Sequence, residues 1–216
     1  EGKLILDTAR RAGVTMACAP DRFLGAGIQT CRKLIDEQMI GRPVAATAFM
    51  VNHGHEHWHP DPDFYYQIGA GPMLDMGPYY LTAMVNLIGP VTKVSGLVGK
   101  AFEQRIITSE PNKGQLINVG VPTHVTGLLE FENGAIGTII TSFDIWASEL
   151  PRMEIYGTAG VLSIPDPNTF VGPVFLKTSM ETDWQNIPLT HPVGGRGVGP
   201  AEMAVAINSN KKSRVD

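Results

Sequence analysis

Hydrophobic and polar positions change period several times along this chain, and each change marks an element. Leu4-Ile5-Leu6 with Ala9 and Ala12 form a helical apolar stripe, ended by Gly13. The unbroken apolar run 14–19, closed by Pro20, predicts a short buried strand, so helix and strand together resemble the tail of a parallel α/β layer. Ile28, Cys31, Leu34 and Ile35 recur at helical spacing and predict a helix over 26–38. Residues 43–51 predict a strand, and a polar loop rich in histidine and aromatic residues follows over 52–67. The Gly69-Ala70-Gly71-Pro72 turn then opens an apolar helix that runs to Ile88 and stops at Gly89-Pro90. Asp75 and Tyr79 stand at i and i+4 in its first two turns, which places them on one helix face about 6 Å apart at Cβ.

Beyond residue 90 the period shifts to two. Segments 91–99, 123–132 and 135–143 read as strands, the last two joined by the hairpin signal Glu132-Asn133-Gly134. Segments 152–156 and 161–164 flank Gly157-Thr158-Ala159-Gly160 as a second hairpin, with shorter strands at 174–177 and 184–188 and a last helix over 200–208. Residues 101–120 read as a polar loop. These elements predict an α+β fold: an open, mostly antiparallel mixed β-sheet with helices on one face. Apolar residues on both parities, as in Leu128-Leu129 and Thr138-Ile139-Ile140, predict a covered second face, which suggests a homo-oligomer joined through the sheet.

Composition narrows the function classes. Hydrophobic residues at 43% and charged residues at 18% are ordinary for a globular chain of 216 residues. A net charge of −4 and the lack of a basic patch outside Lys211-Lys212-Ser213-Arg214 argue against a nucleic-acid partner. No apolar run approaches the roughly 18 residues of a membrane span. Two cysteines, Cys18 and Cys31, both in apolar or helical surroundings, read as buried free thiols in a reducing cytoplasm. The chain starts inside a helix pattern without an initiator methionine and stops just after another helix, which reads as a truncated polypeptide.

Three stretches carry candidate chemistry. Gly25-Ala26-Gly27 before a helix suggests a dinucleotide loop, but Thr30 takes the place of the third glycine and no carboxylate stands about 20 residues on. It reads better as a glycine-rich helix start. His53, His55, His57 and His59 alternate, so two or three imidazoles of an extended segment could converge on a metal; a metal-dependent hydrolase built on residues 53–59 is the alternative function. Against it, only His124 and His191 remain elsewhere to complete a shell. Asp75 and Tyr79 suit a proton-handling pair, with Gly69, Gly71 and Gly77 clearing bulk beside them, although a cap and a packed ring would also explain them.

Gly-x-Gly-Pro-Met-Leu-Asp-Met-Gly-Pro-Tyr-Tyr-Leu over 69–81 resembles the helix start of the Gfo/Idh/MocA family of NAD(P)-dependent oxidoreductases. Ala19-Pro20-Asp21-Arg22-Phe23, Ile40-Gly41-Arg42-Pro43-Val44 and Tyr156-Gly157-Thr158-Ala159-Gly160 resemble that family's second domain in the right order. The resemblance implies a glyceraldehyde-3-phosphate dehydrogenase-like C-terminal domain. Residues 1–19 would be the terminal helix and strand of a truncated Rossmann domain, and 20–216 the substrate-binding and oligomerisation domain. It further implies NAD or NADP as cofactor, bound mainly upstream of Glu1, where the Gly-x-Gly-x-x-Gly loop and a Glu-Lys-Pro lysine would lie. The 216 residues alone would then be inactive. Asp75 matches the substrate-orienting aspartate. Tyr79 falls where many members carry an acid/base histidine and some a tyrosine. His59, Tyr65 and Tyr66 are the expected contacts to a sugar or polyol, with Arg196 a further rim candidate.

Overall fold

The computed structural model describes residues 2–214. Strand β1, Pro43–Val51, lies inside an eight-stranded sheet and orders the rest. On one side it pairs in parallel with β6, Ile136–Ser142; on the other it pairs antiparallel with β7, Met153–Gly157. The first flank continues through β5, His124–Phe131, to the edge strand β2, Val91–Gly99. The second continues through β8, Gly160–Ile164, and β9, Val174–Thr178, to β10, Gln185–Ile187. Among the described residues only the β1–β6 pair is parallel, so the sheet is mixed and mostly antiparallel, as expected.

Alternation decides which face is covered. Ala46, Ala48 and Met50 of β1 point to the same side as Ile139, Leu129, Met153, Ile155 and Leu162. Against that side pack α2, Ala26–Asp36, and α4, Gly77–Ile88. Tyr80, Ala83, Met84, Leu87 and Ile88 recur at i, i+3, i+4, i+7 and i+8, which gives α4 a buried stripe wide enough to close the core. The opposite face carries Thr47, Thr138, Ile140, Leu128 and Ile136, half-buried or exposed in the single chain.

Several expectations change here. Residues 14–19 form no strand, because among the described residues no strand lies beside them to complete a ladder. Helix α1, Gly2–Ala12, buries no residue, and Leu4, Ile5 and Leu6 are exposed. The segment 101–120 contains a separate ribbon of β3, Gln104–Ile106, and β4, Leu116–Asn118. Its inward positions are Arg105 and Ile117, and an arginine turned inward hides the period-two signal.

Cys31 is buried in the core, but Cys18 is exposed; both are free thiols. Burial pushes the Cys31 thiol up to about 12, which leaves almost no thiolate near neutral pH. A thiol-reactive disulfide reagent is therefore expected to modify one cysteine in the native protein and two after denaturation. Two rapid modifications in the native state would contradict this placement.

Candidate active site

The expected continuous helix from Pro72 is broken. A single turn, α3, spans Pro72–Asp75; Met76 caps it, its N–H still donating to Pro72 O at 3.1 Å, and α4 starts at Gly77. Pro78 is the physical cause, since it lacks an N–H and its ring crowds the carbonyl four residues back. Asp75 thus ends one helical segment and Tyr79 lies in the first turn of the next. The glycines also act differently from expectation. Gly71 (φ +90°) needs the left-handed region, and a Cβ there would press on Pro122 O at 3.0 Å. At Gly77 a Cβ would meet Met73 Sδ at 2.5 Å, so only Gly69 of the three is open.

Asp75 is engaged from behind by His55. Its Oδ2 lies 3.4 Å from His55 Nε2, within ion-pair range but not aligned as a hydrogen bond, and both buried ring nitrogens of His55 lack a hydrogen-bond partner. The His55 side chain is 9% exposed and that of Asp75 28%, so the carboxylate is the member nearer solvent. Three rings enclose the imidazole: Tyr65 at 4.0 Å, Phe143 at 4.6 Å and Trp58 at 5.4 Å between centroids. Burial, and then the negative charge of Asp75, raise the Tyr65 phenol above its ordinary pKa. His59 joins the same group, 5.3 Å from the Tyr65 ring, with Nδ1 accepting the Asp61 N–H at 3.1 Å. His59, Tyr65, His55 and Asp75 therefore form one continuous cluster.

Tyr66 stands behind it. The side chain is fully buried, its hydroxyl donates to Glu56 Oε2 at 2.7 Å, and it accepts the His55 N–H at 3.3 Å. Burial and the hydrogen bond to Glu56 push its pKa far up. Glu56 in turn accepts from Arg105 Nη1 at 2.6 Å. Arg105 also binds Asp144, donates to Phe143 O at 2.7 Å and to His53 O at 3.3 Å. This buried ion network ties the loop after β1 to β3 and to the end of β6, and so holds the segment that presents His55.

The other histidines diverge. His53 stacks on Trp146 with ring centroids 3.3 Å apart, and burial together with the nearby Arg105 charge lowers its pKa. His57 is exposed. His124 shares its ring nitrogens with Ser142 at 3.0 Å and Thr126 at 3.2 Å. Among the described residues no three His, Cys, Asp or Glu side chains converge as a metal site. His53, His57, Phe102, Gln104 and Trp146 line a cleft of about 770 Å³ that does not include Asp75 or Tyr79.

Tyr79 is half-buried, and its hydroxyl has no hydrogen-bond partner among the described residues. The Arg22 guanidinium lies 5.1 Å from the centre of its ring and is anchored by Asn168. Arg196 is exposed in the turn before α5, Val198–Asn208. The Gly25-Ala26-Gly27 turn does not fit a dinucleotide. A Cβ at Gly25 would collide with the Phe170 backbone and one at Gly27 would sit 2.7 Å from Pro165 Cγ, so both glycines serve internal packing.

The family model described as the GFO/IDH/MocA C-terminal domain matches residues 28–163, which include β1, the histidine loop, Asp75 and Tyr79. The chain belongs to the Gfo/Idh/MocA family. Solved structures share the Gfo/Idh/MocA fold. An NAD-binding oxidoreductase from Klebsiella pneumoniae aligns with a TM-score of 0.76 at 20% identity, covering 98% of this chain and 62% of that one. A levoglucosan dehydrogenase in complex with NADH and L-sorbose aligns at 0.65 and 18%, covering 88% and 56%. An aldose-aldose oxidoreductase from Caulobacter crescentus complexed with glycerol aligns at 0.72 and 15%, covering 99% and 59%. This chain spans about three fifths of their length. No curated protein matches the sequence. At these identities the likeness concerns the fold. Sequence reasoning did not find His55, Arg22 and Arg105. His55 was visible only as one of four alternating histidines, and Arg105 stood in a stretch read as loop.

Proposed function

We propose that this chain is the substrate-binding domain of a nicotinamide-dependent oxidoreductase acting on a sugar or polyol. The observation that carries the reading is the family match across residues 28–163, which takes in the partly solvent-exposed carboxylate of Asp75. In this proposal residues 1–19 close a nucleotide-binding domain and residues 20–216 hold the substrate. NAD or NADP is bound by residues outside this chain, consistent with the filled Gly25 and Gly27 positions. Asp75 accepts a hydrogen bond from a substrate hydroxyl and orients it, and Tyr79 exchanges the hydroxyl proton. His59 and Tyr65 border the sugar, whose apolar ring face suits aromatic contact, while Tyr66 supports the loop from inside. The half-exposed face of the sheet joins copies into an oligomer, and free thiols fit a reducing cytoplasm.

The reading is tested in two measurements. An NADH titration of the 216-residue chain is expected to show no micromolar binding, and tight binding would count against it. Joined to its nicotinamide-binding domain, the protein is expected to reduce NAD or NADP when supplied with aldoses or polyols. Inactivity across a panel of both would reject the proposed substrate class.

A further inference from the structure

The geometry points to His55 as a positioning residue for Asp75, holding the carboxylate toward solvent from the protein side. The inference rests on the proposed role of Asp75 but concerns a residue that no part of that reading uses. A side chain nine-tenths buried with both ring nitrogens unpaired is costly unless something compensates it. The neighbours of His55 are mostly rings: Tyr65, Phe143 and Trp58. The charged group that faces it is Asp75, at 3.4 Å. The adjacent carboxylate of Glu56 is occupied by Arg105 and the Tyr66 hydroxyl, so it does not compete for the imidazole.

The backbone around His55 is fixed independently of Asp75. Its N–H is held by the Tyr66 hydroxyl, and the next residue is locked by Arg105. The imidazole therefore has a defined place, whereas Asp75 is the last residue of the one-turn helix α3. A carboxylate at the end of so short a helix needs an external support to keep one orientation, and Nε2 of His55 is the polar atom placed to give it. A small closure of the 3.4 Å gap turns this contact into a charge-assisted hydrogen bond. Asp75 then keeps its outer edge for a substrate hydroxyl.

Nuclear magnetic resonance of the 216-residue protein tests this without any catalytic assay. Asp75→Asn is expected to move the ring-nitrogen signals of His55 and to leave those of the exposed His57 and His191 in place. The side-chain carboxyl signal of Asp75 is expected to shift in His55→Phe, which keeps an aromatic ring in the pocket, and to return toward the native position in His55→Gln, which restores a donor. A His55 signal indifferent to Asp75→Asn overturns the inference. With L-sorbose as probe, His55→Phe is expected to weaken binding roughly tenfold, the effect of one hydrogen bond to a charged group, and His55→Gln to recover most of it. Equal losses in both variants make the imidazole a packing group and also overturn it. If the native protein takes up no L-sorbose while His55 and Asp75 remain coupled, the proposed substrate class fails and the positioning role stands on the carboxyl signal.

Discussion

Arg105→Met is expected to destabilise the protein by about 3–5 kcal/mol, the usual cost of leaving buried carboxylates without their cation. Arg105 is 4% exposed in its side chain and binds both Glu56 and Asp144, themselves nearly buried. Its own burial works against the charge, but Glu56, Tyr66 and Asp144 more than offset that and hold its pKa above the ordinary arginine value. Methionine fills much of the same space and supplies no donors, so the change removes the cation with little loss of packing. Two backbone carbonyls, those of His53 and Phe143, lose their donor as well. For a chain of this size each kcal/mol lowers Tm by about 2–4 °C, which predicts a fall of roughly 10 °C in thermal unfolding. Adding Glu56→Gln to Arg105→Met is expected to recover part of the loss, because one uncompensated charge disappears. A fall of only a degree or two would mean that water already reaches the pair.

If Tyr79 acts as proposed, Tyr79→Phe, assayed with the nicotinamide-binding domain present, is expected to lower kcat by about 10²–10⁴, the range for a side chain that moves a proton in the transition state. The substitution removes one oxygen and keeps the ring under the Arg22 guanidinium, so the packing of α4 is preserved. The hydroxyl has no internal hydrogen-bond partner among the described residues, and its loss should not cost stability; thermal unfolding of the variant checks that point. By contrast, Tyr80 next to it donates to Asp166 at 3.2 Å from a fully buried position, and is a structural tyrosine. An unchanged rate in Tyr79→Phe would assign Tyr79 to packing and leave Asp75 as the acting group. The outcome bears on chemistry alone, whereas Arg105→Met bears on the frame that presents it.

The difference between these two residues reflects what can be read from a sequence. Tyr79 is proposed from local spacing, in a stretch whose glycines, proline and apolar period are all adjacent. Arg105 has partners 39 and 49 residues away, and nothing within its own segment shows that it turns inward. The same holds for His55, which meets an aspartate 20 positions later across a chain reversal.

The sequence by itself determined the strands of the main sheet, the two hairpins, the α4 stripe and the class of fold, because side-chain period and turn chemistry are local properties; it misplaced a strand at 14–19 and missed the β3–β4 ribbon. It also determined that Gly25-Ala26-Gly27 is a poor dinucleotide loop, since the third glycine and the acidic partner are missing. Only the tertiary structure decided that Asp75 and Tyr79 lie on separate helical segments, since whether a proline kinks or breaks a helix depends on what packs around it. Likewise, only the fold turns Tyr65 toward Asp75 and Tyr66 toward Glu56, although the two are neighbours in sequence. Consecutive residues leave the backbone in different directions, and long-range contacts choose which one joins the His55–Asp75 cluster and which one supports it.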